Sequence, residues 1–132
     1  MEPRISIITL GVSDLQRSIR FYQDGLRLPL RESSEEIAFF ETSGTWLALH
    51  PRSMLAKDAA ADSEGQGFPG FTLAHNVRTS EEVDQLLNEA ADAGGKVVKN
   101  GEAKSWGGYS GYFSDPDGFL WEIAWNPHFW IQ

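Results

Sequence analysis

The chain has 132 residues, enough for one domain that buries roughly two thirds of the surface exposed by its unfolded form. Its composition is that of a globular protein, and its formal net charge of −8 argues against nucleic acid or an anionic membrane as the partner. The absence of cysteine excludes disulfides and fits a reducing compartment. No apolar export signal follows Met1, and no apolar run approaches a membrane span, so we expect a cytoplasmic protein.

The first half of the chain predicts a strand, a helix and three further strands. A β-rich run covers residues 5–12, and Ser13 with Gln16 has the pattern of a capping box, in which side chains bond the free amides of a helix's first turn. Gly25 is a natural stop for that helix. Its apolar residues at helical spacing are Leu15, Ile19, Tyr22 and Leu26. Three extended runs then follow, at residues 28–31, 36–41 and 45–50.

The second half repeats this order. A β-rich run at residues 71–77 precedes a second capping box, formed by Thr79 and Glu82, and the helix that follows stops at Gly94 and Gly95. The apolar residues of this helix at helical spacing are Val83, Leu87 and Ala90. Its three extended runs lie at residues 96–99, 108–113 and 119–125.

The two halves therefore predict two copies of one βαβββ module, and the strand after Gly44 aligns with the strand after Gly118. The modules span about residues 1–52 and 68–127, and a linker joins them within a single domain of 132 residues. We expect a short helical turn at residues 54–57 of the linker. The predicted fold class is α+β, with helices on one face of two curved mixed sheets and a central cleft.

A charged residue stands out in the last predicted strand. Residues 115–118 read Asp-Pro-Asp-Gly, a turn signal, and in the strand after them Glu122 stands between Trp121 and Ile123. An ionised group among apolar side chains is costly unless it has a partner, a metal or a proton. Glu122 is therefore either a general acid or base, or a structural carboxylate at a wet pocket edge.

These features together resemble the vicinal-oxygen-chelate superfamily, which includes glyoxalase I, bleomycin-resistance proteins, fosfomycin-resistance enzymes and extradiol dioxygenases. The resemblance rests on TLGVSDL at residues 9–15, on Phe21-Tyr22, and on the turn at residues 115–118 with Glu122 four residues after its glycine. It covers nearly the whole chain and implies two βαβββ modules that curve around a cleft.

The resemblance also implies where a metal would be bound. Metal-using members take ligands from four strand positions, which fall here on Ile7, Ala48, Thr72 and Glu122. Isoleucine and alanine supply no donor, and a threonine hydroxyl is a weak neutral one, whereas a catalytic zinc keeps about three protein ligands. We therefore expect no metal at this position and no cofactor. Glu122 is left as the candidate catalytic residue, compensated by a proton, by Thr72 or His50, or by a cationic ligand.

Further candidates for ligand binding come from strand alternation and from glycine-flanked aromatic residues. Trp46 and His50 share a face with Ala48, because side chains alternate along a strand. Trp106 and Tyr109 stand among glycines that let a ligand approach closely. The alternatives are a strand-end polar role for His50 and plain aromatic packing for the glycine-rich segment. The residues predicted to share one cavity are Trp46, His50, Trp106, Tyr109 and Glu122.

Three classes of function fit this sequence. The first is a small-molecule-binding protein of the bleomycin-resistance type, without the usual metal centre. We expect its ligand to be a small organic molecule, with aromatic compounds among the candidates because aromatic side chains line the predicted cavity. The second is a glyoxalase-like lyase or dioxygenase-like enzyme that uses Glu122 with or without a metal. The third is an interaction protein that keeps the fold without an active site. The aromatic tail at residues 125–130 and the module edges predict a homodimer.

Overall fold

The structure, a computed structural model, describes residues 1–65 and 67–128. The chain separates into two compact units, Met1–Gly67 and Phe68–Gln132. Each unit holds one four-stranded mixed sheet, and in each the chain order is a strand, a helical segment and three strands. The predicted α+β class with two βαβββ modules is confirmed.

The first unit contains four strands and two helices. In chain order these are β1 (Ile7–Val12), α1 (Leu15–Arg20) with a π-helical turn after it (Phe21–Gly25), β2 (Leu30–Ser33), β3 (Ala38–Phe40), β4 (Trp46–Pro51) and α2 (Arg52–Asp58). The strand order is β1-β4-β3-β2, in which β1 runs parallel to β4 and the other pairs are antiparallel. Helix α2 contains the helical turn expected in the linker.

The core of the first unit lies between α1 with its π-helical turn and one face of the sheet. The Tyr22 and Phe40 rings contact each other there, with their centroids 6.1 Å apart. Leu47 pairs with Phe40 and is also buried, so β3 and β4 both supply this face. Of the predicted helical stripe, Leu15, Ile19 and Tyr22 are buried, and burial of each such side chain contributes roughly 1.5–3 kcal/mol.

Helix α1 begins with a different cap from the predicted one. The N-cap is Asp14, whose Oδ1 accepts a hydrogen bond from the Arg17 amide at 3.1 Å. The Ser13 hydroxyl instead accepts from the Arg17 guanidinium at 2.8 Å. The predicted capping box of Ser13 and Gln16 is therefore wrong, because an aspartate next in sequence is an equally good cap and takes the position.

Up to residue 128, where the described part of the chain ends, the second unit contains four strands and one helix. In chain order these are β5 (Leu73–Val77), α3 (Ser80–Asp92), β6 (Lys96–Ala103), β7 (Tyr109–Ser114) and β8 (Leu120–Trp125). The strand order is β5-β8-β7-β6, in which β5 runs parallel to β8 and the other pairs are antiparallel. The predicted stripe of α3 is buried: Val83, Leu87 and Ala90.

The ends of α3 follow the sequence signals. Thr79 is the N-cap and its hydroxyl accepts from the Glu82 amide at 3.2 Å, while the Glu82 carboxylate accepts from the Arg78 amide at 2.8 Å. The helix ends at Asp92, and Gly94 then adopts a positive φ of 109° that favours glycine. In residues 1–65 and 67–128, no helix has the length and apolar character that crossing a membrane requires.

The connection between β7 and β8 is organised by a buried carboxylate. Asp115 is 3% exposed, and its Oδ1 accepts hydrogen bonds from the amides of Asp117 at 2.9 Å and Phe119 at 2.8 Å. Gly118 completes the turn with a φ of 88°, which a residue with a side chain rarely adopts. Beyond the turn, Ser114 pairs with Leu120 and sets the register of the whole hairpin.

We predict that Asp115→Ala lowers the free energy of unfolding by about 2 kcal/mol or more, because two turn amides lose a charged acceptor. Asp115→Asn keeps the Oδ1 acceptor in a neutral group and should lose less. Urea unfolding of both variants and the parent chain measures these differences. Equal stability of the alanine variant and the parent would show that the turn forms without this carboxylate.

Candidate functional site

Each sheet packs one of its faces on a helix, which is α1 in the first unit and α3 in the second. The opposite face of each sheet points away from that helix. In the first unit, Trp46, Ala48 and His50 alternate along β4 on the face opposite α1, which we name the first far face. Their neighbours Ile7 and Thr9 in β1 lie on the same face, paired with Trp46 and Ala48. The predicted common face of Trp46, Ala48 and His50 is confirmed by the register.

An open groove lies at the beginning of this sheet. It encloses about 870 Å³ between the N-terminal segment and the start of β4, and Ile7 and Trp46 are part of its lining. Ile7 is 44% exposed, so the groove has an apolar wall accessible from solvent. The Arg31 guanidinium lies 5.2 Å from the centroid of the Trp46 ring and makes a cation–π contact there. Small-molecule sites have volumes of roughly 300–1,000 Å³ and mostly apolar walls.

His50 has a backbone partner. Its Nδ1 lies 2.5 Å from the carbonyl oxygen of Glu36, and because a carbonyl only accepts, Nδ1 is the nitrogen that donates. Glu36 belongs to the connection between β2 and β3. The contact therefore ties that connection to the end of β4, which is the strand-end polar role considered from the sequence.

The carboxylate of Glu122 lies on the face of the second sheet opposite α3, which we name the second far face. Its antiparallel partner in β7 is Tyr112, and the charge of the carboxylate acts on the phenol of that tyrosine. Tyr112 pairs in turn with Lys99 in β6. Burial first, and then the charge of Glu122, raise the pKa of Tyr112 above its usual value. The cross-strand neighbour that the structure gives Glu122 on β7 is thus a tyrosine.

Tyr109 faces the other way. It lies on the same strand as Tyr112 at odd spacing, and its hydroxyl donates to Asp84 of α3, with distances of 2.9 and 3.1 Å to the two carboxylate oxygens. This hydrogen bond is the main reason that the pKa of Tyr109 is raised. Tyr109 and Glu122 are therefore on opposite faces of one sheet, so the expectation that both face one cavity fails. Although glycines stand near Tyr109 in the sequence, its side chain still follows the alternation of the strand.

The remaining candidates of the second unit lie outside its strands. Thr72 precedes β5 and is exposed. Trp106 is in the connection between β6 and β7 and is 43% exposed. Its ring lies against Gly108, where a side chain would overlap it, and its carbonyl oxygen accepts from His128 Nε2 at 3.0 Å. These contacts agree with plain aromatic packing, which was the alternative to ligand binding for the glycine-rich segment around Trp106.

The side chains at the four positions implied by the resemblance do not fit a divalent metal. Ile7 and Ala48 are hydrocarbon side chains, Thr72 is a neutral hydroxyl outside the strand, and Glu122 is the one carboxylate. In the part of the chain that the structure describes, no three His, Asp or Glu side chains are grouped so as to hold an ion. Catalytic zinc requires about three protein ligands, and this donor set supplies one good one.

Comparison with known proteins identifies the family. The sequence model of the Glyoxalase/Bleomycin resistance protein/Dioxygenase superfamily matches residues 4–123. The chain belongs to this superfamily. Its sequence is 32% identical to the YraH protein of Bacillus subtilis in an alignment of 122 residues that covers 88% of this chain and 93% of YraH.

Two further superfamily relatives are informative. Metallothiol transferase FosB of Staphylococcus saprophyticus is 29% identical over 119 residues, which are 90% of this chain and 74% of FosB. The crystal structure of a glyoxalase-related enzyme from Fulvimarina pelagi has a TM-score of 0.91 and 36% identity, and the match covers 98% of this chain and 93% of that one. The resemblance inferred from residues 9–15 and 115–118 is confirmed at the level of the superfamily.

Sequence reasoning did not select Tyr112 or Lys99. A signal for Tyr112 was present, because pairing across the turn at residues 115–118 places the residue three before it opposite Glu122. The signal for Lys99 was absent, since the register of β6 against β7 shifts between Val97 and Lys99.

We predict that Glu122→Gln lowers the pKa of Tyr112, because the carboxylate disfavours a neighbouring phenolate. Ultraviolet titration of the phenolate in the parent and the variant measures the shift, and Tyr112→Phe identifies the signal. Tyr109, held by Asp84, should titrate unchanged and serves as the control. An identical Tyr112 titration in parent and variant would contradict the contact.

The raised pKa of Tyr112, which burial causes first and the charge of Glu122 second, determines how stability changes with pH. A tyrosine whose pKa is raised on folding contributes stability that is fully present below its ordinary pKa of 10.0. That contribution is lost as the pH rises through the higher pKa of the folded state.

Proposed function

We propose that this protein binds a small organic molecule, in the manner of the bleomycin-resistance members of its superfamily, without the superfamily's usual metal centre. The observation that carries the proposal is the pair of Glu122 and Tyr112 on the second far face. This carboxylate has a tyrosine as its partner at the position where the resemblance implies a metal ligand. We propose further that the protein is cytoplasmic and forms a homodimer.

The chemistry of the pair supports ligand recognition. A carboxylate offers about four lone-pair sites, more than its one tyrosine neighbour on β7 could use. Glu122 is half-buried, so a ligand donor that reaches it would form a bond less screened by water than one at the surface. The pair therefore suits a ligand that carries an N–H or O–H donor.

The first unit, taken by itself, has an apolar surface that suits a small molecule. The groove beside Ile7 and Trp46 offers an indole ring and aliphatic side chains at a volume suited to a small molecule. Flat aromatic ligands pack well against such surfaces. An aromatic compound is accordingly the preferred ligand class.

An enzyme remains the second candidate, and the observation that favours it is the similarity to FosB, whose name describes a metallothiol transferase. In this alternative Glu122 would act as a general base, with its orientation fixed by Tyr112. The donor set described above gives no route for a metal-dependent step, so this alternative uses side chains alone.

The proposal predicts no tightly held divalent ion at the four implied positions. Elemental analysis of protein purified without chelator, followed by dialysis against Zn²⁺, Ni²⁺ and Mn²⁺, should find well under one equivalent in both the parent and Glu122→Ala. One equivalent in the parent that disappears in the variant would contradict the proposal and favour the metal-dependent enzyme.

Ligand binding is tested by a thermal-shift screen with small aromatic amines, phenols and carboxylates. We expect at least one compound to raise the melting temperature of the parent, because a ligand of the folded state stabilises it by mass action. The same compound should have a smaller effect on Glu122→Gln. No shift for any compound, or shifts that are equal in parent and variant, would count against the proposal.

A further inference from the structure

The polar residues of the second far face form one row across the sheet. Neighbouring strands place Ala74, Glu122, Tyr112 and Lys99 side by side on β5, β8, β7 and β6. Strands are spaced about 4.8 Å apart, so the backbone positions of Glu122 and Lys99 are about 10 Å apart, with Tyr112 between them. Glu122 and Lys99 thus stand two strands apart, with the aromatic residue Tyr112 on the strand between them.

The Lys99 side of the row has an excess of positive charge. Lys99 Nζ lies 2.9 Å and Lys104 Nζ 2.7 Å from the same oxygen of Glu102. Two ammonium groups therefore share one carboxylate, and together they hold the pKa of Glu102 at about 2. The cluster of Lys99, Glu102 and Lys104 keeps a net charge of +1 in a chain whose net charge is −8. An anion is attracted to that end of the row.

The Glu122 side has the opposite character. Its neighbour in β5 is Ala74 and its neighbour in β7 is Tyr112, so the flanking strands supply a methyl group and a hydroxyl rather than a cation. The carboxylate is half-buried and gains most from a charged donor, because charge-assisted hydrogen bonds are roughly twice as strong as neutral ones. A cation is attracted to this end of the row.

We infer that the second far face binds a zwitterionic ligand, with a cationic donor at Glu122, an anionic group at Lys99 and an apolar or aromatic spacer over Tyr112. This inference rests on the proposed small-molecule-binding function and specifies the class of ligand. A ligand with one charge would satisfy one end of the row and leave the other to water.

A rigid probe of matching length tests the inference. The probe is 4′-(aminomethyl)biphenyl-4-carboxylate, compared by isothermal titration calorimetry with the same biphenyl lacking the carboxylate and with the same biphenyl lacking the amine. The zwitterion should bind the parent about fivefold or more tightly than either singly charged compound, because each charged contact adds to the binding free energy.

The variants separate the two ends of the row. Lys99→Gln should weaken the zwitterion about fivefold and leave the amine compound unchanged, while Glu122→Gln should weaken the zwitterion and the amine compound alike. Lys57→Gln makes the same charge change on helix α2 and should alter none of the three affinities. Circular dichroism of each variant confirms that it is folded.

The outcomes distinguish this inference from the proposed function. If the amine compound binds through Glu122 and the carboxylate adds nothing, or if Lys57→Gln weakens the zwitterion as much as Lys99→Gln, the zwitterion inference is overturned and small-molecule binding stands. If the biphenyl compounds all fail to bind, the inference is overturned as well, and the thermal-shift screen alone decides the proposed function.

Discussion

The hydrogen bonds from the turn amides to the buried Asp115 carboxylate determine the arrangement of the second far face. They fix the connection between β7 and β8, and that connection fixes the register in which Tyr112 stands opposite Glu122. A slip of one residue would turn every side chain of β8 to the other face and expose Ile123 in place of the carboxylate. The carboxylate of Asp115 in the turn thus determines which side chains lie next to the carboxylate of Glu122 in β8.

The same register explains how a charge is tolerated beside two tryptophans. Trp121 and Trp125 lie on the α3 side of the sheet, where Trp121 stacks on Phe113 with ring centroids 6.1 Å apart. Glu122 points to the far face, where Tyr112 is its cross-strand neighbour. The environment of Glu122 is therefore less apolar than its neighbours in the sequence suggest, because successive side chains of a strand point to opposite faces of the sheet.

The order and type of the elements could be predicted from the sequence because the signals are local. Helical spacing identified the buried stripe of α3, and the Thr79 cap and Gly94 stop marked its two ends. Competing local signals were harder to rank: Asp14 rather than Ser13 caps α1, since both side chains are suitable acceptors.

The candidate site was predicted only where strand alternation was enough. Strand alternation placed Trp46, Ala48 and His50 correctly on one face. The same rule was not applied to Tyr109, which was therefore predicted to share the face of Glu122, whereas its side chain faces α3. The row that includes Lys99 depends on irregularities in the pairing of β6 with β7, which no local pattern encodes. Register between strands is a property of the folded sheet, so residues that meet through it are found in the structure first.

The proposed ligand site depends on the interaction of Tyr112 with Glu122, and a double-mutant cycle measures that interaction directly. Tyr112→Phe, Glu122→Gln and the double variant are unfolded in urea beside the parent chain at neutral pH. We predict a coupling free energy of about 1 kcal/mol, because a phenol that donates to a neighbouring carboxylate stabilises the fold by about that much. Additive effects of the two substitutions, with no coupling beyond experimental error, would contradict the account.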